Sequence, residues 1–214
     1  MSDIVPICMQ REALDMVKHI TIDTITDLYI TTTPDCLSIA DLGCSSGPNT
    51  LSVVRDLIEA VDGTCCKILR RPPPEFKELS AGNIGISSSS TVPSVFIAGV
   101  PGSFYRRLFP TSSLHFIHSS HTVHWLSRVP PWLYDEEGKP INKGNIYISE
   151  SSPEVVFKAY LSQFQDDFSV FLRSRSEELV PGGRMVLLLL GRKGSDHSER
   201  GVGFLWELLA RCIA

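Results

Sequence analysis

The stretch at residues 37–51, LSIADLGCSSGPNTL, determines the expected fold of this chain. Its apolar first part ends in Asp41, a loop with two glycines follows, and Pro48 stands where a helix would begin. Proline is favoured at a first helical position because its φ angle is already helical. A strand, a glycine turn and a helix N-terminus in this order are typical of a nucleotide-cofactor site in an α/β fold.

The acidic residue and the glycine spacing indicate which cofactor this turn would hold. A single acid and the pattern D-x-G-x-x-x-G, in place of G-x-G-x-x-G, favour S-adenosylmethionine over NAD. Gly43 would let the backbone approach the ligand, and Asp41 can meet the amino group of its methionyl moiety. Residues 43–47 also fit the G-x-S-x-G elbow of α/β-hydrolases, but only about 40 residues precede them and these hold no His-Gly-Gly-type segment. A β–α turn without a ligand is the third interpretation.

Composition excludes several classes of function. The 214 residues suit one large domain, and their net charge of −4 is spread over interspersed acids and bases. No basic field indicates nucleic-acid binding, and no apolar run is long enough to predict a membrane span. Six cysteines without a C-x-x-C pair predict reduced thiols and a cytoplasmic location.

Strand and helix patterns alternate along the chain. Helices are predicted at 10–29, 48–61, 153–178 and 202–213, and strands at 38–41, 94–98, 114–119 and 185–190 after a turn at 181–183. The alternation predicts an α/β fold with a mostly parallel sheet in one domain over 1–214. Residues 71–93 contain a proline triplet and a serine quartet, so an irregular, flexible loop is predicted there, mainly over 72–93, and a strand of the sheet is expected to be missing. The last predicted helix reaches Ala214 without a cap, from which we expect an incomplete domain.

Several short stretches together resemble one protein family. They are IADLGCSSGPNT at 39–50, GVPGSFYRRLFP at 99–110, SSHTVHWLS at 119–127, KGNIY at 143–147, and RSEEL with PGG at 175–183. In this order they are similar to the SABATH family of plant carboxyl methyltransferases, which act on salicylate, jasmonate, indole-acetate and benzoate. The family also includes the caffeine-pathway N-methyltransferases. The resemblance implies a Rossmann-like, S-adenosylmethionine-dependent methyltransferase fold and methyl transfer to a small-molecule carboxylic acid, giving a methyl ester.

Such a reaction needs no general base. A carboxylic acid with a pKa of about 4.3 is already ionised at neutral pH. The enzyme has to align the acceptor oxygen, the methyl carbon and the sulfonium, and to exclude water. We therefore expect positioning residues and no catalytic acid or base.

The family pattern implies two sets of ligand-binding residues. The cofactor set is Asp41, Gly43, Cys44, Asn49, Ser103, Phe104 and Ser119. The acceptor set is Gln10, His121, His124, Trp125, Leu205 and Trp206. Gln10 and the Trp125 indole would hold the carboxylate as neutral donors, and His121 replaces a tyrosine that is common in the family. For Phe104 and Trp206, ordinary core packing is the alternative.

The resemblance also implies a magnesium ion with Asn145 as one ligand, although the other expected ligands would lie beyond Ala214. Four histidines recur at every third position, at residues 115, 118, 121 and 124. Positions 115 and 118 of a strand face opposite sides, so the four rings cannot converge on zinc.

The chain departs from the family pattern in three places. The N-terminus reads MSDIVPICM in place of Met-Asn-Gly-Gly…Ser-Tyr-Ala, and no Asn-Asp-Leu-Pro segment supplies an aspartate for the ribose hydroxyls, for which only Glu75 and Glu78 are substitutes. The family's sequences are also considerably longer. Losing a hydrogen bond to a charged group costs about 1.5–3 kcal/mol. We therefore expect impaired activity, and the alternative function is an inactive remnant that binds or dimerises with a full-length relative, or forms a homodimer.

Overall fold

The computed structural model of the chain describes residues 7–43, 49–79, 94–143, 145, 148, 152–189 and 191. These residues form two compact units. The sheet unit contains those up to Val123 together with Phe171–Leu189, and the second unit contains those of His124–Val170 and Gly191. Each unit is described by itself. Within the described ranges, no helix combines the length and apolar character that crossing a membrane requires.

The sheet unit is built on five parallel strands with helices beside them. The strands are β1 Cys36–Asp41, β2 Glu75–Leu79, β3 Val95–Ala98, β4 Leu114–Ser120 and β5 Leu179–Leu188. The helices are α1 Ile7–Thr32, α2 Asn49–Thr64 and α3 Glu154–Glu178, the last of which runs from the second unit into the sheet unit. Every described pairing between named strands is parallel, which confirms the predicted α/β class.

The strand order β3-β2-β1-β4-β5 positions the candidate site. From β1 the chain moves outward through β2 and β3, then returns to the other side of β1 as β4. The order therefore reverses between β1 and β4, and in open α/β sheets ligands bind outside the carboxyl ends of the strands at such a switch point.

Apolar side chains of the helices and the central strands form the core of the sheet unit. The cluster comprises Ile25, Leu28 and Tyr29 of α1, Leu57 and Val61 of α2, Cys65, and Leu37, Ile39, Phe76 and Phe116 of the strands. Most of β1 is buried, as expected for a central strand of a parallel sheet that is covered on both faces. The core thereby fixes the end of β1, where Asp41 lies.

The prediction of an irregular loop throughout residues 71–93 is wrong for Glu75–Leu79, which form β2. Phe76 pairs in register with Leu37 of β1 and with Val95 of β3, and its side chain is almost fully buried. Ladder bonds on both sides and one buried aromatic outweigh the proline-rich flank, because strand preference depends strongly on packing context. The expected missing strand is therefore present, while residues 80–93 lie outside the described part.

The end of the described sheet also differs from the prediction. We predicted a turn at 181–183 before a strand at 185–190, but β5 begins at Leu179 and continues through this segment. Gly182 has a φ angle of +82°, and the β4–β5 register shifts between Leu114 and Phe116. Between the pairs Leu114–Leu179 and Phe116–Arg184, β5 therefore carries three more residues than β4, and the turn-forming residues lie in this irregular part of the strand. The helix predicted at 202–213 lies outside the described residues.

Candidate functional site

A buried carboxylate and imidazole pair marks the switch point between β1 and β4. Asp41 ends β1 and lies opposite His118 of β4, with Asp41 Oδ1 2.9 Å from His118 Nδ1. The two residues are only 8% and 2% exposed. A buried carboxylate needs such a partner to offset its lost hydration. One carboxylate oxygen is therefore fixed by His118, at the carboxyl ends of β1 and β4, where a ligand is expected.

The turn after β1 needs glycine for two reasons. Gly43 has a φ angle of +76°, which disfavours residues that carry a Cβ, and a Cβ at this position would overlap the Thr122 side chain. The Leu42 N–H donates to the His118 carbonyl at 2.9 Å, and the Ser119 hydroxyl donates to the Leu42 carbonyl at 3.0 Å. These contacts hold the turn against the end of β4.

His121 follows β4 in a strained backbone conformation. Its φ angle is +54°, a left-handed value in which histidine is more common than most residues. Its ring Nδ1 lies 2.7 Å from Ser120 Oγ, and its backbone N–H donates to the Leu188 carbonyl at 2.9 Å. Burial, and secondarily the neighbouring His118, lower the pKa of His121 below 6.5. The imidazole is therefore neutral at pH 7.

The loop after β3 carries Ser103 and Phe104. Ser103 is exposed, and Phe104 is only partly buried, with its ring 4.5 Å from that of Tyr105. The Tyr105 hydroxyl in turn donates to the Val123 carbonyl at 3.4 Å. Phe104 is thus not a fully buried core residue.

The remaining predicted residues fall into two groups. His124 and Trp125 belong to the second unit, where His124 is partly buried, Trp125 is 43% exposed, and their ring centroids are 5.8 Å apart. Gln10 lies in α1 and Asn49 begins α2, but their side chains lie outside the described part of the chain. Cys44, Leu205 and Trp206 lie outside it altogether.

The predicted magnesium site has no matching donor set among the described residues. The backbone N–H of Asn145 donates to the backbone carbonyl of Asn142 at 3.1 Å. No cluster of three or more His, Cys, Asp or Glu side chains suited to a metal ion occurs in the ranges that the structure describes. Magnesium prefers several oxygen ligands in octahedral geometry. The described residues do not fit the ion, so no step is assigned to it.

Four residues near the site were missed from the sequence: His118, Thr122, Arg175 and Glu178. His118 immediately precedes Ser119, so its proximity to Asp41 could have been inferred from the end of a neighbouring strand. Arg175 and Glu178 form a fully buried ion pair, with Arg175 Nε 2.7 Å from Glu178 Oε2. Their only sequence signal was their place in the RSEEL motif.

Comparison with known proteins gives a consistent result. A family model described as SAM dependent carboxyl methyltransferase matches residues 7–214. A probable jasmonic acid carboxyl methyltransferase of Theobroma cacao is 44% identical over 223 aligned residues, with 96% of this chain and 60% of the relative covered. The salicylate carboxymethyltransferase of Clarkia breweri is also 44% identical, with 96% and 58% covered.

Two further relatives have other acceptors in their names. A 7-methylxanthine methyltransferase of Camellia ptilophylla is 47% identical, with 83% of this chain and 52% of the relative covered. The solved structure of a loganic acid methyltransferase with SAH superposes with a TM-score of 0.81 at 34% identity, covering 96% of this chain and 61% of that one. The chain thus spans between about half and three fifths of the length of these relatives.

Proposed function

This chain belongs to the SAM dependent carboxyl methyltransferase family, and we propose that it binds S-adenosylmethionine at the carboxyl ends of β1 and β4 and transfers the methyl group to a small plant acid. The observation that carries the proposal is the buried Asp41–His118 pair beside the Gly43 turn. It presents a fixed carboxylate where the strand order reverses, which suits the amino group of the cofactor's methionyl end.

The rest of the cofactor would lie along the carboxyl ends of the neighbouring strands. Gly43 would allow close approach of the backbone, and Ser103 and Phe104 would contact the adenine, with Cys44, Asn49 and Ser119 as further cofactor contacts. Glu75 is a poor substitute for the ribose-binding aspartate because it begins β2 and therefore lies at the opposite end of the strand. Glu78 lies one residue before the end of β2 and is the better candidate.

Acceptor binding would use neutral groups. A carboxylate acceptor is already ionised, so a base is unnecessary and neutral donors can orient it without holding it too tightly to react. His121 is suited to this role because its lowered pKa keeps the ring uncharged at neutral pH. We propose Gln10, His124 and Trp125 as further acceptor contacts, with Leu205 and Trp206 as apolar walls.

The acceptor class is best chosen by experiment among the compounds that relatives suggest. Jasmonate and salicylate are the first candidates, because the names of two relatives with 44% identity contain them. Benzoate and indole-acetate extend the carboxylate series. A methylxanthine is the second class, because a relative with 47% identity is a 7-methylxanthine methyltransferase.

The first experiment is calorimetric titration of S-adenosylhomocysteine into the purified chain, followed by transfer of labelled methyl groups to each acceptor. We expect Asp41→Asn to weaken S-adenosylhomocysteine binding about 10- to 150-fold, as loss of a charged hydrogen bond predicts. The matched control is Asp35→Asn, because Asp35 precedes β1 and its side chain is fully exposed. Absence of binding by the wild-type chain, or equal binding by Asp41→Asn, would contradict the proposal.

The second candidate function is a binding partner of a longer relative, or a homodimer, without transfer activity. It is favoured by an edge of the described sheet, where β3 presents Phe96 with its side chain mostly exposed. Exposed strand edges can pair with another chain. Light scattering after size exclusion tests this alternative, and a monomer at all concentrations would count against it.

A further inference from the structure

The backbone of residues 104–109 is held by side chains near the C-terminal end of α3. Arg175 Nη1 donates to the Phe104 carbonyl at 2.5 Å, and Arg175 Nη2 donates to the Arg106 carbonyl at 2.9 Å. Between these two contacts, the Ser174 hydroxyl donates to the Tyr105 carbonyl at 3.2 Å. Three successive carbonyls of the loop are therefore bound by α3.

Glu178 holds the following part of the same loop. Its Oε1 accepts the backbone N–H of Leu108 at 2.6 Å and that of Phe109 at 3.0 Å. Its two oxygens also accept two hydrogen bonds from the Arg175 guanidinium, at 2.7 and 2.9 Å. Both charged groups are thus satisfied by each other and by the loop, as fully buried charges require.

A second ion pair joins the same loop to the same helix and provides an internal comparison. Arg107 Nη1 lies 3.2 Å from Glu177 Oε2, but both side chains are nearly half exposed. Water screens this pair, so it restrains the loop weakly. Two glutamates next to each other in sequence therefore differ in environment, which makes Glu177 the natural control for Glu178.

We propose that Arg175 and Glu178 are positioning residues for the adenine end of the cofactor. The proposal rests on the proposed function, in which Ser103 and Phe104 contact the adenine. The buried pair fixes the backbone next to these residues before the ligand arrives. A loop that is already ordered loses little conformational freedom on binding, so the affinity for an adenine-containing ligand is higher than that of a mobile loop.

The test compares two ligands in four variants. S-adenosylhomocysteine contains the adenosine and the amino-acid ends, whereas 5′-methylthioadenosine lacks the amino acid. In Arg175→Lys the charge remains but the bidentate fork is lost, and in Glu178→Gln the charge is removed. Glu177→Gln is the matched control. Asp41→Asn is a second control, which alters only the contact with the amino-acid end of the cofactor. Dissociation constants are measured together with hydrogen exchange of residues 103–109 in the free proteins.

We expect Arg175→Lys and Glu178→Gln to raise both dissociation constants by about tenfold and by the same factor, with faster exchange in 103–109. Glu177→Gln leaves both constants within about twofold. Asp41→Asn weakens S-adenosylhomocysteine but not 5′-methylthioadenosine. If Arg175→Lys or Glu178→Gln fails to fold, Ser174→Ala removes only the bond to the Tyr105 carbonyl and is expected to raise both constants by about two- to fivefold.

Three results would overturn the inference, and they are distinguishable. Unchanged constants in Arg175→Lys, with faster exchange, would show that the pair is structural only. If the Arg175 and Glu178 variants weaken binding of S-adenosylhomocysteine but not of 5′-methylthioadenosine, the pair acts on the amino-acid end of the cofactor and not on the adenine end. A wild-type chain that binds neither ligand would overturn the proposed function and this inference together.

Discussion

The loop after β3 and the loop after β4 are both held by α3, but with different chemistry. In the sheet unit, residues 104–109 are bound by a fully buried pair of opposite charges. In the second unit, Asp167 accepts the N–H of Ser127 at 2.8 Å and its hydroxyl at 2.6 Å. Ser127 itself is exposed to solvent.

This difference indicates unequal stiffness. Bonds between fully buried charges are costly to break, whereas bonds at an exposed residue can exchange with water. The family shares one cofactor by its description, while relatives are named for jasmonic acid, salicylate and 7-methylxanthine. We therefore expect a stiff loop beside the proposed cofactor site and a more adaptable one near His124 and Trp125.

The largest expected effect is that of Arg175→Met. The substitution leaves Glu178 buried without its counter-charge, so we expect the free energy of unfolding to fall by about 3–5 kcal/mol. Urea denaturation measures the change. Arg173→Met is the matched control, because Arg173 is an exposed residue of the same helix and should lose no more than about 0.5 kcal/mol. Equal effects at both positions would contradict a stabilising role for the buried pair that holds residues 104–109.

The next effect compares two glycines, one in each unit. Gly43 and Gly138 both have a φ angle of +76°, but an added Cβ would overlap Thr122 at Gly43 and would meet nothing within 4 Å at Gly138. Both alanine variants should lose about 1–2 kcal/mol from the left-handed backbone, and Gly43→Ala should lose about 1–3 kcal/mol more from overlap. Thermal melts compare the two. Thr122→Gly removes all three Thr122 atoms that the added Cβ would overlap, and if it fails to relieve Gly43→Ala, overlap is not the cause.

Asp167→Asn tests the second loop directly. The Asp167 carboxylate accepts three hydrogen bonds, two from Ser127 and one from Gln163. In asparagine an NH2 group replaces one of the two accepting oxygens, so at least one of these N–H or O–H donors would face another donor. We therefore expect the free energy of unfolding to fall by about 1–2 kcal/mol. Asp166→Asn at the exposed neighbouring position is the control. A loss as large as that of Arg175→Met would refute the idea that the second loop is held less firmly.

The smallest expected effect depends on pH. Burial lowers the pKa of His121, so the unfolded chain binds the proton more tightly than the folded one. His121 therefore costs no stability above pH 6.5, and stability falls as the pH drops from 6.5 towards the lowered pKa of the folded state. Asparagine tolerates the left-handed backbone, so His121→Asn should keep the fold. It should flatten the decline in the free energy of unfolding between pH 7.5 and 5.5, which urea titrations measure. An unchanged slope would assign it to other groups, such as His115, whose pKa is also lowered by burial.

Local patterns were sufficient to predict much of the sheet and one part of the site. The apolar run before Asp41, the glycine after it and the periodic apolar face of α3 all depend on residues close in sequence. These features gave the correct class of fold and the residues at the end of β1. The roles of the predicted ligand residues stay predictions.

Features that depend on distant residues could not be predicted in this way. The β2 sequence EFKEL is flanked by prolines, and only its neighbours on both sides make it a strand. Arg175 and Glu178 are three positions apart on a helix, a spacing typical of exposed pairs. Their burial depends on Leu108, which is 70 residues from Glu178.

The parallel order of the sheet also has a consequence for how the chain reaches its native state. Ser119 contacts Leu42 across a separation of 77 residues. Contacts between such distant residues require closure of long loops and slow the folding reaction. During synthesis, β1 emerges from the ribosome well before β4, and the buried charges of α3 emerge later still. The Gly43 turn therefore cannot acquire its contacts with Thr122 until a further 79 residues have been translated.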